Sequence, residues 1–210
     1  QFQIMDLPGK RNQDDKINST VIQNCRRALS IVTYDRVQTD EKLRQKLIGE
    51  VLDQVKLMGG SPARMLFALN RIDVFRKDHD SERREQEAVE RTIKEIKQIL
   101  HERLPEHRGI LEDLSYSKLS SLPALLAWQM HSNQGEQRIT AAEDLDKNFG
   151  NLIEESIREE LPRSAKKWED IEFNKVGKSI RENSYAEKFF SVLGSHIQKH
   201  FAKLIVAPLL

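Results

Sequence analysis

The sequence predicts an α/β fold, a parallel-type sheet sandwiched between helices in three layers, followed by an all-helical extension. Three observations lead there. Short segments of strand character alternate with helical ones through the first 130 residues. Those strand segments are almost continuously apolar, the pattern of strands buried on both faces. The polar stretch "HSNQGEQRIT" (131–140) then ends the alternation, and everything after it reads as helix or loop. The chain divides accordingly into a sheet-bearing unit, 1–130, and a helical extension, 131–210.

In chain order, "FQIMD" (2–6) is the first predicted strand, and it runs into the turn "LPGK". A helix follows in which Ile17, Val21 and Cys25 share one face. The lone Cys25 has no partner for an internal disulfide and reads as a buried core thiol. "ALSIVTYD" (28–35) is the second strand. The next helix starts at Thr39 or Asp40 as cap, carries Leu43, Leu47, Val51, Val55 and Met58 on one stripe, and stops at Gly59-Gly60. "RMLFALNRID" (64–73) is the third strand with its exit loop. The helix after "DHDS" lines Val89, Ile93, Ile96 and Leu100 along one face, offers Glu87/Arg91 and Glu90/Lys94 as i,i+4 pairs on the other, and ends at Pro105. "LEDLSYS" (111–117) is the least clear strand. At the far end Ala186, Phe189, Phe190, Leu193, Ile197, Phe201, Leu204 and Ile205 recur at helical spacing and form an apolar face that needs a partner.

Composition excludes more than it names. With 34 Lys and Arg against 33 Asp and Glu, the net charge of +1 argues neither for nucleic acid nor for a solvating acidic tail. The interleaved charges of "ERREQEAVERTIKEIKQ" (82–98) mark a solvated helix face and not a phosphate-tracking patch. The longest apolar run, "LIVAPLL", is far below the roughly 18 residues that span a bilayer. With no signal peptide in view, a cytoplasmic setting is expected. His196 and His200 stand at i,i+4, but no Glu lies between them and the neighbouring aromatics favour a packed helix over a metal site. Trp128 and Trp168 read as core or interdomain packing.

Ligands of open parallel sheets lie beyond the carboxyl ends of the strands, and the polar residues of interest sit there. Asp6 ends the first strand, where a carboxylate can hold Mg²⁺ through water, and Gly9 lets the backbone approach a terminal phosphate closely. The competing reading is a plain Pro-Gly turn. Asn70 and Asp73 of "NRID" close the third strand. A carboxylate at Asp73 can accept both N1–H and the exocyclic amine of guanine, donors that adenine lacks, while Asn70 can contact N7 and tie neighbouring loops together. Leaving that carboxylate unpaired against the wrong base costs about 1–3 kcal/mol or more, enough for strong discrimination. The bland alternative is an Asx cap on a strand exit.

Taken together and in this order, "DLPG" and "NRID" resemble the third and fourth nucleotide motifs of translation-factor-related GTPases, and among them the dynamin-like large GTPases. "KLSSLPALLAW" (118–128) resembles the fifth motif, with Ser120 and Ser121 at the positions near the base and Ser117 as an alternative register. The tail is weakly similar to bacterial dynamin-like proteins. The resemblance implies a P-loop GTPase sheet, GTP or GDP with Mg²⁺ as ligands, and Asp6, Gly9, Asn70, Arg71, Asp73, Ser120 and Ser121 as contacts. It also implies a helical extension that folds back beside the nucleotide domain and leads toward a stalk. In the parent protein it implies homo-dimers or oligomers through the GTPase face, with any membrane-surface contact made by regions outside this segment.

Two departures stand out. Arg71 occupies the place of the family's usual Lys, whose stem packs on the guanine face; Arg can stack there too. No Gly-x-x-x-x-Gly-Lys-Ser/Thr loop or threonine-bearing switch precedes "DLPG". The reading therefore expects an N-terminally truncated GTPase domain whose catalytic groups lie upstream of residue 1, with this fragment alone inactive. Both chain ends are expected to be internal points of a longer protein. "EFNKVGKS" (172–179) ends in Gly-Lys-Ser, but Glu172 replaces the first glycine, "WEDIEF" is a poor strand, and the motif order is wrong for a permuted GTPase. The competing class of function is a non-catalytic interaction module, either a degenerate GTPase fold or a helical scaffold.

Overall fold

The computed structural model describes residues 29–35, 49, 62–76 and 81–206. The expected strand at 2–6 with Asp6 and Gly9, the helix bearing Cys25, and, apart from helical Gly49, the helix from Leu43 to Met58 lie outside the described residues. Three strands, β1 (Ser30–Asp35), β2 (Met65–Asn70) and β3 (Ser115–Lys118), form a parallel sheet in the order β1-β2-β3. The register pairs Asp35 with Asn70 and Leu69 with Lys118, so all three carboxyl ends finish at one edge. Helix α1 (Ser81–Arg103) carries the crossover from β2 to β3.

Strand β2 is buried on both faces, as its unbroken apolar run demands. Met65, Phe67 and Leu69 face α1, where they meet Ile96, Ile99 and Leu100 together with Val32 and Tyr34 of β1. Leu66 and Ala68 face the other way, onto Phe189, Val192 and Leu193 of the last helix, α7 (Ala186–Val206, after α2–α6 below). Of the expected apolar face, Phe189 and Leu193 thus find their partner in the sheet, whereas Phe190 is 65% exposed and the side chains of Phe201, Leu204 and Ile205 lie outside the described residues. On β1, by contrast, Ile31 is 48% exposed.

Helix α1 differs from expectation in detail. Its buried stripe includes Glu85, Ala88 and Thr92, with Val89 and Ile93 only partly covered. Thr92 satisfies its hydroxyl by donating to Ala88 O at 2.8 Å. Arg83 holds Glu87 and Gln86 holds Glu90, each from one turn before the glutamate, whereas the expected partners Arg91 and Lys94 lie one turn after it. The helix stops at Arg103, because Pro105 disfavours helical geometry at Leu104. The segment expected as strand from 111 is first the end of a short helix, α2 (Arg108–Leu111), and then a turn; only Ser115–Lys118 pair.

The second core belongs to helices. Helices α3 (Ser121–Ser132), α4 (Gly135–Phe149), α5 (Glu155–Glu160) and α6 (Asp170–Asn183) follow β3. Leu126, Ala127 and Met130 of α3 pack against Ala141, Ala142 and Leu145 of α4 and against Phe173, Val176 and Ile180 of α6. Trp168 closes this core, edge-on to Phe173 and donating its indole N–H to Pro162 O at 2.9 Å. Trp128 does not pack; it is 61% exposed, with Leu122 and Leu125 on the same side of α3. No described helix is long and apolar enough to cross a membrane.

Gly177-Lys178-Ser179 sits in the interior of α6, so its backbone N–H groups are committed to helix and cannot cradle a phosphate. Glu172, in the place of a phosphate loop's first glycine, accepts the backbone N–H of Glu169 at 2.8 Å as part of a capping box that starts this helix. Ser179 accepts from Glu154 N at 3.0 Å.

Candidate base-binding site

Beyond the sheet, the ladder continues into two loops. Leu119 N donates to Leu69 O at 2.9 Å and Ile72 N to Leu119 O at 3.4 Å. The two loops that leave β2 and β3 are therefore already held side by side where Asn70, Arg71, Asp73, Ser120 and Ser121 sit. Arg71 takes the left-handed conformation at φ 62°, which turns the chain out of β2 and into the short 3₁₀ turn Ile72–Phe75. Ile72 is buried and anchors that turn in the sheet core.

Asn70 and Ser121 hold each other twice. Asn70 Nδ2 donates to Ser121 Oγ at 3.0 Å, and Ser121 N donates to Asn70 Oδ1 at 3.0 Å. Ser121 N is one of the N–H groups left without an intrahelical partner at the start of α3. The usual cap would be the preceding Ser120, but that side chain makes no cap hydrogen bond. Its buried hydroxyl instead accepts from Asp73 N at 2.8 Å. Each loop thus supplies the other's missing partner. Ser117 lies within β3, with its hydroxyl on Lys118 O, so the serines at the loop are Ser120 and Ser121.

The side chains at the mouth of the two loops remain accessible. Asn70 and Asp73 are half-buried and Arg71 is exposed. Asp73's backbone is fixed at both ends, its N–H on Ser120 and its carbonyl on Arg76 N at 3.1 Å. One proton of Asn70 Nδ2 is engaged by Ser121, which leaves the second available to an acceptor.

A buried polar cluster that the sequence did not single out lies directly beneath. Glu85, on the apolar stripe of α1, accepts from Arg76 Nε at 3.0 Å, from Lys118 Nζ at 2.5 Å and from the Tyr185 hydroxyl. Burial alone would push the Glu85 carboxyl up, but the hydrogen bonds from Lys118, Tyr185 and Arg76 outweigh it and hold the group below the usual carboxylate range. Burial opposes the charges of Arg76 and Lys118 too, and Glu85 again prevails, raising both. Glu85 was legible as a helical position: it lies four residues before Val89 on the apolar side, a place where a carboxylate needs a partner.

His196 and His200 are buried in α7 with their rings 4.6 Å apart. His196 Nε2 reaches Arg64 O at 3.2 Å and must donate to it. Among the described residues no group of three or more His, Cys, Asp or Glu is placed to hold a metal ion. Compared with known proteins, the chain matches no family model, no curated sequence and no solved structure.

Proposed function

We propose that this chain carries the base-binding side of a guanine-nucleotide site, as part of a dynamin-like P-loop GTPase. One observation carries the reading: the Asn-x-x-Asp loop and the Ser-Ser loop are interlocked by the Asn70–Ser121 and Asp73–Ser120 hydrogen bonds at the carboxyl ends of adjacent parallel strands. The side chains fit a guanine. The Asp73 carboxylate takes N1–H and the exocyclic amine, the free Asn70 proton takes N7, the stem of Arg71 covers a ring face, and Ser120 and Ser121 fix the loop around them. The phosphate and Mg²⁺ end falls to Gly9 and Asp6, which lie outside the described residues. In the parent, bound GTP with Mg²⁺ supplies the hydrolysable γ-phosphate; this chain's own part is to select and orient the base. Dimerisation through the GTPase face and a cytoplasmic setting belong to the same proposal.

The test is Mg²⁺-dependent binding of fluorescent GDP and ADP to this chain and to a form extended upstream. Binding by the extended form with guanine preference, lost in Asp73→Asn, supports the reading. Binding by neither form sinks it. A second reading then takes over, a protein-interaction module, favoured by the exposed ridge of Leu122, Leu125 and Trp128 on α3.

A further inference from the structure

Among the described residues two non-glycine positions hold a positive φ, Arg71 at 62° and Tyr185 at 61°. Arg71 turns the base loop. Tyr185 joins α6 to α7, a place where glycine would serve without strain. Its side chain accounts for its presence. The hydroxyl accepts from Arg76 Nη2 at 2.6 Å and donates to Glu85, while Lys118 Nζ lies 3.9 Å and the Arg76 guanidinium 4.9 Å from the ring centre.

The two residues before Tyr185 reach the same loops. Asn183 Oδ1 accepts from Arg76 Nη1 at 3.0 Å, and Asn183 Nδ2 donates to Leu152 O at 2.8 Å. Ser184 O accepts directly from Ser120 N at 2.9 Å. Arg76 closes the turn that carries Asp73, and Lys118 ends β3 just before Leu119 and Ser120. From the helical bundle, Asn151 Nδ2 also donates to Arg76 O at 3.0 Å. Three consecutive residues at one helix junction therefore grip both loops of the candidate site, one directly and two through the half-buried cations Arg76 and Lys118.

We propose that the α6–α7 junction, Asn183–Ser184–Tyr185, is the positioning element of the base-binding loops, so that occupancy of the base site and placement of helix α7 are one coupled equilibrium. This rests on the reading of those loops as base-binding. A ligand that fixes the loops favours the junction's seated arrangement, and the seated junction strengthens ligand binding by the same factor. Asn183 and Tyr185 touch no ligand; they act through Arg76 and Lys118. A cluster that only glued two units together would not discriminate between nucleotides.

The experiment is amide hydrogen exchange on this chain and on the upstream-extended form. In the nucleotide-free chain, Tyr185→Phe and Asn183→Ala each speed exchange about tenfold at residues 70–76 and 118–124, whereas Lys175→Ala, which breaks a surface pair with Glu160, changes neither segment. In the extended form, GDP slows exchange at 182–189 as well as at 70–76, ADP does neither, and Tyr185→Phe lowers the GDP-over-ADP preference about tenfold. GDP protection confined to 70–76 overturns the coupling and leaves the base site standing. No protection by either nucleotide overturns both. Unchanged loop exchange in folded Tyr185→Phe overturns the positioning role whatever the nucleotide does.

Discussion

Asn70 and Ser121 are reciprocal partners: the side-chain amide of one donates to the hydroxyl of the other and accepts its main-chain N–H, both at 3.0 Å. Asn70→Ala removes both bonds and leaves a helix N–H without an acceptor, so it costs about 1–2 kcal/mol of stability. Ser121→Ala keeps the main-chain bond and costs less than about 1 kcal/mol. Urea unfolding of the two single variants and the double variant checks this. Equal losses in the two singles would show that the hydroxyl, and not the N–H, carries the link.

Acid should destabilise the protein in two separate windows. Burial holds the His196 pKa below its ordinary 6.5, with the Arg64 carbonyl opposing and Lys199 adding to the shift. The unfolded chain thus takes up a proton first, and stability present above pH 6.5 declines as pH falls below it. Glu85 is depressed from 4.5, so its contribution is present above that value and is lost as pH falls through the lower folded value. His196→Gln, which keeps a donor for Arg64 O, should abolish the upper window alone. Glu85→Gln should shrink the lower one, to which Glu112, also held below its ordinary value by Lys97 and His101, still contributes, and should cost about 1–3 kcal/mol at neutral pH, since Arg76 and Lys118 are only partly exposed. Stability measured by denaturant from pH 7 to 3 tests both.

The two tryptophans should respond oppositely. Trp168→Ala empties a place in the bundle core and orphans Pro162 O, for a loss of about 3–5 kcal/mol. Trp128→Ala on the exposed ridge should stay within about 0.5 kcal/mol of the parent. A large loss at Trp128 in thermal unfolding would mean that the ridge is covered in solution.

Gly177→Ala should stabilise helix α6 by about 0.5–1 kcal/mol, because the added Cβ meets only the mobile end of Arg181 at 3.4 Å and the Met130 methyl at 3.8 Å. Lys178→Ala should leave nucleotide binding unchanged. A loss of binding in either variant would mean that Gly-Lys-Ser has a role its helical setting does not suggest.

Legibility followed periodicity. The long apolar run at 65–70 made β2 and its burial on both faces plain, and the 3.6-residue stripe found α1. The fourth strand segment was misplaced by four residues because Leu111 and Leu114, both buried, mimic a strand while serving as helix end and turn. Asn70, Asp73, Ser120 and Ser121 stood out as candidate residues, and their interlocking did not, since it depends on register across the sheet. Arg76 and Tyr185 escaped notice because their partners are distant in sequence, and Glu85, whose place on the apolar side of α1 was legible, gave no sign of what it binds. Pairs 100 and more positions apart leave no local trace. Trp128 shows the converse: size and apolarity suggest burial, but only the direction a helix face points decides it.

The closure of the sheet by α7 has a consequence for how the chain is made. Arg64 and His196, which bond across that contact, are 132 positions apart. At a synthesis rate of about 5–20 residues per second, β2 waits roughly 7–26 s for the helix that covers Leu66 and Ala68. Throughout that interval an apolar strand face stands open on the ribosome-bound chain, and a chain released before α7 keeps it open. Helix α7 is therefore the element whose arrival takes this strand face out of reach of the chaperones.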